Sequence, residues 1–235
     1  MKTKSIILQV FVLLGLLSGL FPLVAQEVAP KAVSVDANVD LVSRYIWRGQ
    51  DLGTGPCIQP GLSASWKNFT LGAWGSYTIT GKGDLETDLY ISKTLGFVTV
   101  AVWDYFTFNE NYSFDYFDYQ DKTTRHQFEA QMLLSGGEKL PFNFMTAWFF
   151  HGTDASRSLY FELQYTPHLD VADLTLFAGY QASGTAYAPE PSFVNLGCTV
   201  EKPIEITDRF TLPLSMSLVV NPAAKSAWLV AGITF

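Results

Sequence analysis

Arg44 and Arg48 lie four residues apart near the start of the chain, and Asp40, Glu86, Asp88 and Glu129 each stand among apolar neighbours. In an extended chain alternate side chains point the same way, so residues spaced by two or four share one face. Guanidiniums and carboxylates on such a face can form a charged ladder across a constriction. Rings of this kind orient small polar or ionic solutes in pores. The competing chemistry is mutual pairing, in which the same charges fill a narrow lumen and stiffen it. Gln131, Glu162, Gln164, Gln181 and Glu201 extend the polar set along the chain.

Other chemistry is weakly marked. Gly81-Lys82-Gly83-Asp84 is a lone Gly-x-Gly in a turn, without a phosphate-loop context. His126, His151 and His168 sit in or beside connections, with no spacing that ties them to a Cys or to each other, and read as solvated rim residues. No metal site, cofactor or catalytic residue is expected, and the chain is read as a non-enzyme. The segment 109–125 interleaves Glu110, Asp115, Asp118 and Asp121 with aromatic residues. That pattern suits either a cation site, since hard ions favour clustered carboxylates, or a solvated loop whose rings widen an aromatic girdle. Cys57 and Cys198 fall on strands with opposite facing and are expected to remain unpaired thiols.

The elements that would position these groups follow from a period-2 alternation running from about residue 36 to the last residue. Turn residues divide it into about twelve strands: 36–48, 57–67, 69–80, 84–96, 97–108, 126–135, 142–151, 157–167, 173–183, 192–202, 209–220 and 225–235. In the first, Asp36, Asn38, Asp40, Arg44 and Arg48 share one side, and Ala37, Val39, Leu41, Tyr45 and Trp47 the other. A soluble sandwich would bury the apolar set, whereas a membrane barrel would turn it to lipid and the polar set to a wet lumen. Strand 97–108 is ambiguous. The favoured facing puts Trp103 and Tyr105 outward and Asp104 inward, with a bulge near Ala101 as a way to reconcile both apolar sets.

Composition favours the barrel. Aromatic residues make up 15% and charged residues 16% of the 235-residue chain, well below the charge usual for a soluble protein. Residues 1–25 read as a secretory signal, with Lys2 and Lys4 before an apolar run and Val24-Ala25 at its end. Without it, 13 basic residues face 22 acidic ones, a formal charge of −9, which argues against a nucleic-acid partner. Residues 26–35 form a short periplasmic segment and 36–235 the barrel. An even strand number places both ends on the periplasmic side and the 109–125 connection outside.

Ser43-Arg44-Tyr45-Ile46-Trp47-Arg48-Gly49 resembles the opening strand of the TorF family of porins, with Ser43, Tyr45, Arg48 and Gly49 matching and Arg44 standing where the family has an acidic residue. Gly55-Pro56-Cys57-Ile58-Gln59-Pro60-Gly61, Leu71-Gly72-Ala73-Trp74-Gly75 and Leu85-Glu86-Thr87-Asp88-Leu89-Tyr90 are also similar to that family. The resemblance is clearest over 40–105. It implies an outer-membrane channel, and Phe235 resembles the terminal signal such barrels offer their assembly machinery. The expectation is therefore an all-β, up-and-down antiparallel transmembrane barrel in a bacterial outer membrane, in contact with lipid and lipopolysaccharide and passing small polar solutes. A non-conducting structural or surface-binding barrel is the alternative.

Overall fold

The alternating runs cannot bury an apolar face alone, and each satisfies its backbone by pairing with the next run until the last meets the first. The computed structural model describes residues 33–53, 55–80, 84–109, 115–121, 123–137, 139–208 and 210–235. The expected leader lies outside these residues. The strands are β1 (Ser34–Val42), β2 (Ile46–Trp47), β3 (Gln50–Asp51), β4 (Cys57–Trp66), β5 (Phe69–Thr78), β6 (Leu85–Leu95), β7 (Val98–Phe108), β8 (His126–Ser135), β9 (Phe142–Gly152), β10 (Leu159–Tyr165), β11 (Asp173–Ser183), β12 (Ser192–Thr207), β13 (Phe210–Asn221) and β14 (Ser226–Thr234). Twelve of them close an antiparallel barrel in chain order, while β2 and β3 form a separate hairpin.

The seam is short. β14 pairs with β1 at Asp40–Thr234, Leu41–Ile233 and Val42–Gly232; Val39 and Phe235 add two reciprocal backbone hydrogen bonds of 3.1 and 3.0 Å, and the Ser43 N–H donates to the Ala231 carbonyl at 2.8 Å. The β7–β8 and β11–β12 connections leave one end of the barrel, the loop end, and the two-residue turns Lys67-Asn68 and Gly96-Phe97 close hairpins at the other, the turn end.

The two faces of the wall differ as alternation requires. Leu62, Leu71, Ile91, Leu163, Met216 and Leu229 point outward and are exposed, Leu71 by 63% and Leu229 by 67%. Gln59, Ser76, Glu86, Asp88, Gln127, Glu129, Glu162, Gln181 and Asn195 point inward and are buried. The packed apolar core lies inside the barrel, where Tyr105, Ala147, Phe149, Tyr160, Tyr187, Ala188 and Val194 meet Trp47 and Trp103. Cys57 and Cys198 are both free thiols.

Expectations for the first strand and for one connection are corrected. The first strand stops at Val42, not at Arg48; residues 43–53 leave the wall and fold into the barrel. Tyr45 and Trp47, expected outward, are therefore interior, Tyr45 against Trp74 at 5.4 Å and Trp47 against Tyr105 at 5.4 Å between ring centroids. The connection expected at 203–208 is mostly strand, since β12 and β13 stay paired from Leu196–Val220 to Thr207–Phe210.

The facing of β7 is the reverse of the favoured one. Val100 and Val102 are outward and exposed, and Tyr105 is buried inside. Both neighbours pair with β7 in unbroken register through Ala101, so no bulge occurs there. Asp104 consequently points outward, which a bare carboxylate on an apolar wall would make costly. It is covered: His126 Nδ1 meets Asp104 Oδ1 at 2.7 Å, and His126 Nε2 meets the Tyr116 carbonyl at 2.7 Å. The Tyr119 ring stacks on the same imidazole at 4.3 Å. The described part of the 109–125 connection thus lies against the outer wall.

Candidate functional site in the barrel lumen

The inserted hairpin organises the lumen. Ile46 pairs with Asp51 and Trp47 with Gln50, leaving Arg48 and Gly49 as a two-residue turn with positive φ at both, 49° and 75°. Positive φ at both central positions is the type I′ requirement, which matches strand twist. Arg44 closes the base of the hairpin, its Nε donating to Asp51 Oδ1 at 2.9 Å. The tip is pressed onto β12: a Cβ on Gly49 would stand 1.8 Å from the Val194 carbonyl oxygen. Asn221 Nδ2 donates to the Gly49 carbonyl at 2.9 Å, and Gln50 Nε2 to that of Ala186 at 2.8 Å.

Arg48 is the hub. Its guanidinium forks onto Glu129, Nη1 to Oε2 at 2.5 Å and Nη2 to Oε1 at 2.9 Å, and Nη1 also donates to the Tyr187 hydroxyl at 2.6 Å. The cation rests 4.6 Å from the ring centres of both Trp47 and Tyr160, within cation–π range. Glu129 further accepts from the Tyr105 hydroxyl at 3.0 Å and from Gln131 Nε2 at 2.5 Å. A paired, forked and fully hydrogen-bonded charge is the arrangement that makes a buried guanidinium tolerable.

Two further knots hold the rest. Gln181, without solvent exposure, gathers the 184–190 connection: its Nε2 donates to the Gly184 and Ala188 carbonyls at 2.9 and 2.7 Å, and its Oε1 accepts from Tyr187 N at 2.7 Å. Glu162 accepts from the Tyr160 hydroxyl, from Asn195 Nδ2 at 2.9 Å and from Gln164 Nε2 at 2.8 Å. Burial pushes the Tyr187 phenol well above its ordinary range.

The expected polar residues are distributed as follows. Glu86, Asp88, Glu129, Gln131, Glu162, Gln164 and Gln181 lie on the inner wall, and Arg48 comes to Glu129 from the hairpin. Arg44 is remote from the acidic wall, being spent on Asp51. Asp40 belongs to the seam, taking a 2.6 Å hydrogen bond from Thr234 Oγ1, and Glu201 is exposed near the turn end and lines a small cavity with it. Tyr105, expected outward, and Tyr160, Tyr187 and Asn195, not singled out, complete the network. The inward parity of Tyr160 and Asn195 is legible, but that of Tyr105 was not, and Tyr187 lies in a connection that alternation says nothing about. Gly49, at one of the two positive-φ positions of the turn, is the local sign of a tight hairpin.

Space remains around the hairpin. A cavity of about 200 Å³ touches Asp40, Glu201 and Val42; one of about 260 Å³ runs from Val42 to Arg48 and Asn195. A third, of about 390 Å³, shares Arg48 and Asn195 and reaches Trp47 and Tyr105. A fourth, of about 370 Å³, continues from Trp47 and Tyr105 to Gln127 and Asp154 at the loop end. Successive cavities are parted by shared side chains.

These features define a single-chain, twelve-stranded antiparallel barrel whose lumen is occupied by its own hairpin. Residues 25–212 match the profile of Gcw_chp, a bacterial protein family of unknown function, and the chain belongs to that family. Comparison with curated proteins finds no match.

Proposed function

We propose that the protein is an outer-membrane channel that passes small polar or ionic solutes by diffusion, narrowed by the 43–53 hairpin. The outer location is supported by the ring of exposed Leu, Ile, Val and Phe side chains on a closed barrel. Exposed apolar surface on that scale calls for a lipid contact. The observation that carries the channel reading is the row of cavities, lined by polar and aromatic side chains together, from Asp40 and Glu201 to Gln127 and Asp154, separated by the side chains of Val42, Arg48, Asn195, Trp47 and Tyr105. Side chains change rotamer far faster than backbone refolds, so such partitions admit small solutes intermittently. The likeness to TorF porins agrees, and the residues it matches at Tyr45, Arg48 and Gly49 are those of the hairpin. Solute movement of this kind requires no cofactor and no covalent step.

The second reading is a non-conducting barrel, favoured by the burial of the Arg48–Glu129 pair. Planar-bilayer recording decides between them. Discrete conductance steps from the purified protein are expected, larger in Arg48→Ala. Silence from both proteins overturns the channel.

A further inference from the structure

The 390 Å³ cavity beneath the hairpin has a composition unlike the rest of the lumen. Tyr45, Trp47, Trp74, Trp103 and Tyr105 border it, together with the carboxylates of Asp88 and Glu162. Trp103 is held rigidly, stacked on Tyr90 at 4.3 Å and on Tyr105 at 5.7 Å. Tyr90 fits because residue 72 is glycine; a Cβ there would fall 2.4 Å from its ring. A cavity of this size that sets polar and charged groups among aromatic walls has the make-up of a small-molecule site.

Charge selects the ligand. Asp88 is 1% and Glu162 7% exposed, yet among the described residues no basic side chain stands within ion-pair distance of either. Asp88 Oδ1 accepts a long 3.4 Å bond from the Phe106 N–H, and its carboxyl lies in hydrogen-bond contact with that of Glu86, a second acid. Arg48, the one cation on the cavity wall, is spent on Glu129. Glu162 is hydrogen-bonded by neutral donors alone, and two acids in contact, Glu86 and Asp88, disfavour carrying their full charge while no cation is near; the electron-rich faces of Trp and Tyr favour the same sign of ligand. The lumen already holds one cation in this manner, the Arg48 guanidinium between Trp47, Tyr160 and Glu129.

We infer that this cavity is a binding site for a small organic cation, an alkylated or primary amine, which settles between the aromatic walls and the carboxylates of Asp88 and Glu162. The inference deepens the channel reading by naming its solute class, and rests on it for access from both sides of the membrane.

Titration of the detergent-solubilised barrel with choline, followed by tryptophan fluorescence, tests it without requiring conduction. Saturable binding is expected, with the neutral isostere 3,3-dimethylbutanol at least tenfold weaker. Asp88→Asn and Trp74→Leu should each weaken choline at least tenfold while keeping the heat-modifiable gel mobility of a folded barrel. Equal binding of the neutral isostere, saturation by glucose but not choline, or no saturation at all would overturn the inference. Choline binding in a barrel that never conducts removes the channel and leaves this site standing.

Discussion

Arg48 and Glu129, 81 positions apart in the chain, meet as a forked ion pair with side-chain exposures of only 6% and 0%. The contact ties the inserted hairpin to the middle of β8. Removing one partner strands the other: Arg48→Ala leaves a buried carboxylate unpaired, an effect of roughly 3–5 kcal/mol. An unfolding free energy lower by that amount is expected from urea titration, read as a lower midpoint at unchanged slope. Arg48→Lys should lose less stability but still fail to restore the fork, and Arg48→Met with Glu129→Gln should be more stable than Arg48→Ala.

Gly49 decides whether the hairpin seats at all. Its φ of 75° alone makes alanine unfavourable by about 1–2 kcal/mol, and the 1.8 Å approach to the Val194 carbonyl leaves a methyl no space. Gly49→Ala should keep the barrel folded but lift the hairpin. Trypsin would then cut after Arg44 or Arg48 in the variant and spare both in the parent.

Acidification should loosen the loop end. The Gly152 N–H donates to Asp121 Oδ1 at 3.0 Å, and Arg157 Nη2 reaches both carboxylate oxygens at 2.5 and 2.7 Å. These contacts, the Gly152 bond foremost, hold the Asp121 carboxyl below its usual range. A depressed carboxyl stabilises the folded form above its unfolded pKa of about 4, and that contribution fades as pH falls through the lower folded value. Protease sensitivity of the 115–121 segment should therefore rise as pH drops below about 4, with Asp121→Asn already sensitive at neutral pH.

The outer wall gives a test of the membrane reading. Ile91, half exposed near the centre of β6, should tolerate alanine in detergent-folded protein. Arginine there should cost roughly 2–4 kcal/mol if the position meets the bilayer midplane. Equal stability of Ile91→Arg and Ile91→Ala in lipid vesicles would place that surface in water.

Much of the wall was readable from residue order. Leu41 against Asp40, Ile91 against Tyr90 and Leu163 against Glu162 fall on the faces their alternation predicts, because a strand has only two sides and one-residue slips are forbidden by what each side meets. β7 was misread for a reason that is itself physical. Both of its faces are apolar, so parity alone could not choose, and the deciding group was Asp104. An acid is acceptable on the outside only when His126 and the Tyr116 and Tyr119 segment come to cover it, and those partners are non-local.

Alternation and turn spacing were thus enough to specify an all-β barrel of twelve strands, its greasy exterior and its polar interior, since these are consequences of local chain geometry. Whether the lumen is open belongs to the tertiary structure alone. Residues 36–48 keep a period of two interrupted only by Val42, Ser43 and Ile46, yet the wall ends at Val42, because Gly49 finds the β12 backbone, Arg48 finds Glu129, and Trp47 finds Tyr105 and Tyr187. Contacts made between residues dozens of positions apart leave no periodic trace in the segment that makes them.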